Sequence, residues 1–262
     1  MVPTDDADPL RFEQRDAVGI VWLARPAKRN AISDALIDRL RECFATLPES
    51  VRAVVLAGEG EHFCAGLDLS ALRERTPIEG MRHSMGWHAA FDAIQFGRVP
   101  VIAALHGAVI GGGLELASAA HIRVAESGAF YALPEGQHGL FVGGGGSVRI
   151  PRLIGVARMT DMMLTGRVYG AEEGHGIGLS QYLVGAGEAL PRALELAATV
   201  ARIAPITSFA VMHALPRIAG QPAAEGLMME SLMAAIASSS TEAQARMQAF
   251  LDKRGAKVGP AS

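Results

Sequence analysis

The sequence predicts an α/β fold whose strands stop before a helical C-terminal region. Three observations carry this expectation. Residues 17–24 (AVGIVWLA) and 51–58 (VRAVVLAG) are short, β-branched and apolar at successive positions, as strands covered on both faces are. Between them, residues repeat at helical spacing, giving a strand, helix, strand unit. From about Leu190 onward, strand patterns disappear and apolar residues recur only at helical spacing.

Taken in order, residues 1–16 (MVPTDDADPLRFEQRD) are acidic and contain no apolar stretch, so no secretory signal is expected there. Ser33 is placed to cap a helix carrying Leu36, Ile37, Leu40, Cys43 and Phe44 on one face. Residues 99–105 and 120–125 read as further strands, separated by a glycine turn and a short helix over 114–118. The whole run 99–120 is long enough to suggest a membrane span. It holds four glycines, His106 and Glu115 and has no flanking aromatic belt, so a buried strand, turn and helix is expected instead.

Residues 190–204, 208–219, 222–237 and 240–254 read as helices separated by Pro or Gly, which divides the chain into 1–189 and 190–262. Met228, Met229, Leu232, Met233 and Ile236 form an apolar face wider than such a helix needs for its own core. Two readings remain, a subunit interface or packing within the chain.

Composition narrows the function. Twenty-four Lys and Arg against 27 Asp and Glu leave a net charge of −3, without the basic footprint of a nucleic-acid binder. Cys43 and Cys64 are too few for a disulfide scaffold and lack CxxC spacing, so a reducing cytosol is the expected location. Thirty glycines, clustered at 111–113 and 143–146, mark places where the backbone turns sharply or approaches something closely.

Two turns have the character of donor sites. In HFCAGLDL (62–69), an Ala-Gly pair precedes Asp68, which can cap the next helix. In GAVIGGGLE (107–115), three glycines open a helix whose first N–H groups have no intrahelical partner. Two such N–H groups converging from separate turns can hold a developing oxyanion, and each is typically worth ~3 kcal/mol of transition-state stabilisation. Glu115, one helical turn past Gly112, brings a carboxylate to the same place, in surroundings (LELASAAH) too apolar for a solvated surface residue. A buried, paired glutamate is the competing reading. A second carboxylate, Glu135, follows Pro134 and precedes the second glycine cluster. Two carboxylates beside an oxyanion site suit acid/base chemistry on a carbon next to a carbonyl.

HFCAGLDL, GAVIGGGLELA and ALPEGQHGL with its glycine-rich turn together resemble the crotonase, or enoyl-CoA hydratase/isomerase, family, and RPAKRNAIS resembles that family's CoA-binding loop. The resemblance spans nearly the whole chain. It implies a spiral core of β-β-α turns, an acyl-CoA substrate whose CoA is the only coenzyme involved, no metal, and a homotrimer or hexamer assembled through the helical end. Carried over residue by residue, it implies oxyanion-hole amides at Leu67 and Gly112, catalytic glutamates at Glu115 and Glu135, and a water-supporting glycine at Gly143. CoA contacts fall at Ala27, Lys28, Arg29, Ala65, Gly66, Asp68 and Leu69, and at Phe250 and Lys253 near the C-terminus. The acyl pocket is expected at Trp87, Phe91, Phe141 and Val142, although Trp87 and Phe91 equally suit the core. Where hydratases commonly have Pro in GxxPGxGG, this chain has Val142 in GLFVGGGG, which alters the turn beside the pocket. ASAAHIRV, FYALPEGQHGLFVGGGG and MTDMMLTGRVY are most similar to methylthioacryloyl-CoA hydratases within the family.

Other chemistries lack their patterns. No GxxxxGK[ST] or strand-GxGxxG-helix unit accompanies the glycines, and the histidines stand without ligand-spaced partners. Ser147 lacks a GxSxG setting and is expected to cap a helix over 148–154. A noncatalytic acyl-CoA binder would need the donor turns but neither glutamate. An isomerase would need only one base, and a hydrolase stays open because fold does not determine reaction.

Overall fold

A computed structural model describes residues 8–71 and 74–252. The central sheet grows from the apolar runs. Val18–Leu23 (β2), Ala53–Gly58 (β3), Val101–Leu105 (β4) and Ile122–Glu126 (β6) lie parallel, with Val18 opposite Ala53, Val54 opposite Val101 and Ile102 opposite Ile122. Leu10–Arg15 (β1) adds antiparallel at one edge and Tyr182–Val184 (β9) parallel at the other, giving the order β1-β2-β3-β4-β6-β9.

Both faces of this sheet are covered, which explains the unbroken apolar runs. Along β3, Val54 and Leu56 face one core with Leu36, Leu40, Phe91 and Leu114, while Ala53, Val55 and Ala57 face a second. The second core is closed by helix Ala189–Val200 (α7), whose Ala189, Ala193 and Ala197 repeat every four residues and let helix and sheet approach closely. On the first face lie Asp34–Ala45 (α1), capped by the Ser33 hydroxyl on the Leu36 N–H at 3.3 Å, and Pro77–Gln95 (α2), begun by a Thr76/Glu79 capping box.

A smaller sheet, β5-β7-β8, is made of Ala108–Ile110 (β5), Phe130–Ala132 (β7) and Tyr169–Gly170 (β8). The chain alternates between the sheets: β4 then β5, helix Gly112–Ala119 (α3), β6 then β7, helices Gly146–Ile154 (α4) and Val156–Thr165 (α5), then β8, helix Ala171–Ile177 (α6) and β9. This is the expected spiral of β-β-α turns. It places the start of α3 directly after a strand of the small sheet.

Three expectations change. Residues 10–15, read with the acidic N-terminus, form β1 because Leu10 is buried against the sheet while the polar positions face outward. Residues 108–110 form a strand rather than part of a glycine turn, since β7 supplies their partners. Ser147 does not cap α4: Gly145, at φ +92°, takes that place, and the helix has already begun at Gly146.

By its contacts the chain divides after Ala201, so α7 belongs with the sheet and the division falls one helix later than the 189/190 boundary read from sequence. In the second unit, Pro205–Phe209 (α8) passes through a π-helical turn, Ala210–Ala214, into Leu215–Ile218 (α9). The wider turn accommodates Pro216, which has no N–H to give and would crowd an α-helical carbonyl. Ala223–Ser238 (α10) and Thr241–Leu251 (α11) follow, the latter capped by Ser240 on the Ala243 N–H at 3.2 Å. On α10, Met228, Leu232 and Ile236 are exposed and Met229 and Met233 half-buried. No single described helix is long and apolar enough to cross a membrane.

Candidate active site

Three loops are laced together at the top of the sheet. Ala65 N–H bonds the Arg29 carbonyl at 3.0 Å, Ile32 N–H the Gly66 carbonyl at 2.7 Å, and Asp68 N–H the Ile32 carbonyl at 2.9 Å. On the other side, Cys64 N–H bonds the Ala108 carbonyl and Ile110 N–H the Cys64 carbonyl, at 3.0 and 3.1 Å. Buried Asn30 ties the set from within, its amide nitrogen reaching the Glu59 and His62 carbonyls at 2.9 and 2.8 Å.

This lacing determines where two amides point. Ile32 bonds the residues on either side of Leu67, so the Leu67 N–H is turned to the opposite side of the loop. Gly112 opens α3, so its N–H has no intrahelical acceptor. Neither N–H has an acceptor among the described residues. The two turns converge: a Cβ placed on Gly66, where φ is +90°, would sit 2.8 Å from the Ile110 carbonyl oxygen and 3.5 Å from the Gly112 nitrogen.

Glu115 and Glu135 come to this place from different elements. Glu115, on α3, is 3% exposed, and its Oε1 accepts from the Gly144 and Gly146 N–H groups, both at 2.8 Å. Burial pushes its carboxyl above the ordinary range, against the pull of the Gly146, Gly144 and Gly143 amides and the Arg149 charge. Glu135 lies on a 3₁₀ turn, Pro134–His138, that follows β7. Its Oε1 packs against Gly111, where an added Cβ would come within 2.6 Å of it and where φ is +53°, a doubly glycine-demanding position. The Oε2 atom is buried without a hydrogen-bond partner among the described residues. Burial first, and the charge on Glu115 in addition, push the Glu135 carboxyl up to about 7.

The other sequence-derived positions distribute unevenly. Trp87 and Phe91 are buried, pack edge to face at 5.7 Å, and press on the glycines of the site, Trp87 on Gly112 and both on Gly144. Val142 is buried too, but Phe141 is 71% exposed, so it is no packed wall within this chain. Ala27, Lys28 and Arg29 are exposed on the loop after β2, and Leu69 is exposed beside it. Asp68 is buried and engaged. Its Oδ2 pairs with Arg25 at 2.9 Å and lies 3.6 Å from Lys28, and its Oδ1 accepts from the Ser70 N–H and hydroxyl at 3.1 and 2.5 Å. It thus caps the short 3₁₀ turn Leu69–Ala71, as expected. Phe250 is exposed on α11, and Lys253 lies outside the described residues.

Sequence reasoning missed Arg25, Asn30, Ser84 and Arg149. Arg149 sends Nη1 to the Gly144 carbonyl at 3.0 Å and Nη2 to Asp92 at 2.5 Å. The bond to Asp92 spans 57 positions, as the Ser84 bond to Gly143 spans 59, and only the Asn in RPAKRNAIS carried a local signal. Among the described residues no three His, Cys, Asp or Glu side chains gather as a metal requires. Cys43 and Cys64 are free, and burial raises their thiols to about 11 and about 12.

Known proteins share this architecture over its full length. The enoyl-CoA hydratase/isomerase family pattern matches residues 13–259. Enoyl-CoA hydratase EchA19 of Mycobacterium tuberculosis is 31% identical over 97% of both chains, and the short-chain-enoyl-CoA hydratase of Clostridium acetobutylicum is 32% identical over 93% of this chain and 94% of its own. A crystal structure from Rhodopseudomonas palustris, provisionally named an enoyl-CoA hydratase, superposes with a TM-score of 0.92 at 60% identity, covering 94% of this chain and 95% of that one. By sequence and by fold, the chain belongs to the enoyl-CoA hydratase/isomerase family.

Proposed function

We propose that the protein adds water across the 2,3 double bond of a short-chain enoyl-CoA, with methylthioacryloyl-CoA among the substrates to test. The observation that carries this reading is the meeting of a buried and a half-buried carboxylate, neither ion-paired among the described residues, at a helix start with unused N–H groups. In the proposed reaction the thioester oxygen lies between the Leu67 and Gly112 amides, which stabilise the enolate as it forms. Glu115, held by backbone donors that favour its ionised form, takes a proton from water as the oxygen bonds to C3, with Gly143 supporting that water. Glu135, raised to about 7, gives its proton to C2 as the double bond is lost. Exchange of a proton between the two carboxyls through solvent restores the start.

Lys28 and Arg29 are proposed to meet CoA phosphates, with Ala27, Ala65, Gly66, Asp68 and Leu69 along the same path. Trp87, Phe91 and Val142 are proposed to line the acyl group. No cofactor beyond the substrate's own CoA is required. The proposed working unit is a homotrimer or a pair of trimers in the cytosol, using the exposed Met228 and Leu232 face. Light scattering at 27.5 kDa independent of concentration, together with full activity, would end the oligomer proposal.

Incubation with crotonyl-CoA and methylthioacryloyl-CoA, following enoyl absorbance and free thiol together, separates the possible reactions. Loss of absorbance without CoA release is expected. Thiol release from a saturated acyl-CoA would indicate a hydrolase, and no turnover on any short enoyl-CoA would remove the hydratase reading.

A further inference from the structure

We infer that Ser84, on α2, is a positioning residue that aims the backbone of the 143–146 turn at Glu115. Its hydroxyl donates to the Gly143 carbonyl at 2.6 Å, while the Gly144 N–H donates to Glu115 Oε1 at 2.8 Å. That carbonyl and that N–H belong to one peptide plane. In a trans peptide they point in opposite directions, and the chain has no cis bonds among its described residues. Ser84 and Glu115 therefore hold the two ends of one rigid unit, and a rotation that releases one bond releases the other.

Nothing in the local chain fixes this plane. Glycine flanks it on both sides, so the barrier that a Cβ would impose on peptide rotation is missing. The open side is at Gly143, where an added Cβ would meet only the Ser84 hydroxyl, at 3.7 Å. On the next peptide, Arg149 Nη1 holds the Gly144 carbonyl at 3.0 Å and is itself anchored by Asp92 and Gln95. The turn is thus tethered at two successive carbonyls, by Ser84 and by Arg149, and its amides are left for the carboxylate.

The serine's own geometry points the same way. A serine inside a helix ordinarily returns its proton to a carbonyl of the preceding turn. Ser84 instead reaches a carbonyl 59 residues away. Its oxygen remains able to accept, and His88 Nε2 lies 3.3 Å from it one turn along α2. A His88 ring protonated at Nε2 completes a relay from His88 through Ser84 and the peptide to Glu115.

This inference rests on Glu115 acting as the base of the proposed hydration, and the test separates the two. The groups facing the Glu115 carboxylate are Glu135 from the turn after β7 and Arg149 from α4, with Asp92 and His88 of α2 behind the glycine turn. Ser84→Ala, Ser84→Thr and Glu115→Gln are compared for kcat, KM and the pH dependence of kcat/KM on crotonyl-CoA. Ser84→Ala is expected to lower kcat about tenfold with little change in KM, the worth of the Gly144 bond to the Glu115 carboxylate that is released with it. It should also move the acid limb to higher pH, because Glu115 loses a donor that favours its ionised form, and Ser84→Thr should restore both. An unchanged kcat and acid limb in Ser84→Ala, beside an inactive Glu115→Gln, would overturn the positioning role and leave the hydratase reading intact. So would a lower kcat that neither shifts the limb nor recovers with Thr, which marks a packing defect. Activity retained by Glu115→Gln would overturn the reading itself and this inference with it.

Discussion

Asp68 and Glu115 are buried carboxylates and Glu135 is half-buried beside Glu115, and the two places treat them in opposite ways. Asp68 has the Arg25 guanidinium at 2.9 Å and both Ser70 donors, which hold it down at about 2 despite its burial. Glu115 and Glu135 form no ion pair among the described residues, Arg149 acts on Glu115 only as a nearby charge, and burial lifts both. A carboxylate with a cation at contact distance is locked in one charge state and ties loops together. A carboxylate buried without one sits near the pH where it can take or give a proton. The same residue type thus ties loops together at one place and has its carboxyl raised at the next, where proton transfer is proposed.

The largest test of that division replaces each carboxylate by its amide. Glu115→Gln and Glu135→Gln keep shape and remove proton transfer, so turnover should fall by ~10²- to 10⁴-fold in each. Activity within threefold of the parent in both variants would break the comparison at its centre. Asp68→Asn should act on folding instead. It removes the carboxylate charge from the buried pair with Arg25, and breaking such a pair typically costs about 3–5 kcal/mol, measurable as a lower denaturant midpoint. A variant with unaltered stability would show that Asp68 is not the tie between these loops.

The motifs at the chain's turns were more legible than the bonds between them. Gly112, Glu115 and Glu135 stand out in sequence because a glycine-opened helix and a carboxylate in an apolar run are local signals. The strands β2, β3 and β4 were equally plain, since each is apolar on both faces, and β6 follows the same pattern apart from Arg123 and Glu126. β1 and β5 were missed because their membership depends on a partner strand, and residues 10–15 carry few apolar side chains. Arg25 gives no hint in sequence that it will meet Asp68, 43 positions on. Ser147 was misplaced for a related reason: Glu115, from another helix, draws in the Gly146 N–H and the helix begins there. Long-range polar contacts are decided by topology, which local pattern does not contain.

Acidity gives a test with opposite signs. Glu135 has its carboxyl raised from an ordinary 4.5 to about 7, so the folded protein binds its proton more tightly than the unfolded chain. The favourable contribution is present below the ordinary value and is lost as pH rises through about 7. Glu135→Gln should therefore raise Tm in mildly alkaline buffer even as it lowers turnover. Asp68 is displaced the other way. Its stabilisation is present above the ordinary 3.8 and is lost as pH falls toward about 2. The hydration rate of the parent should decline above about pH 7 as Glu135 loses the proton it must deliver. A flat rate through that range, or a Tm lowered by Glu135→Gln at alkaline pH, would remove Glu135 as the acid.

The smallest expected effect belongs to the exposed cations beside Asp68. Lys28 is 45% exposed in its side chain, with Nζ 3.2 Å from the Ser70 hydroxyl and 3.6 Å from Asp68, and Arg29 is exposed at the end of the 3₁₀ turn Pro26–Lys28. Solvated charges of this kind contribute modestly, on the order of 0.2–1 kcal/mol each. Replacing both by Ala should weaken CoA binding by about tenfold or less, leave the denaturant midpoint nearly unchanged, and flatten the decline of affinity with salt. Calorimetric titration of CoA at low and high ionic strength reads all but the midpoint. Unchanged affinity and salt dependence would remove the phosphate contact. A lowered midpoint would place Lys28 with Arg25 in the structural tie around Asp68, and would move the line between structure and binding one residue further out along this loop.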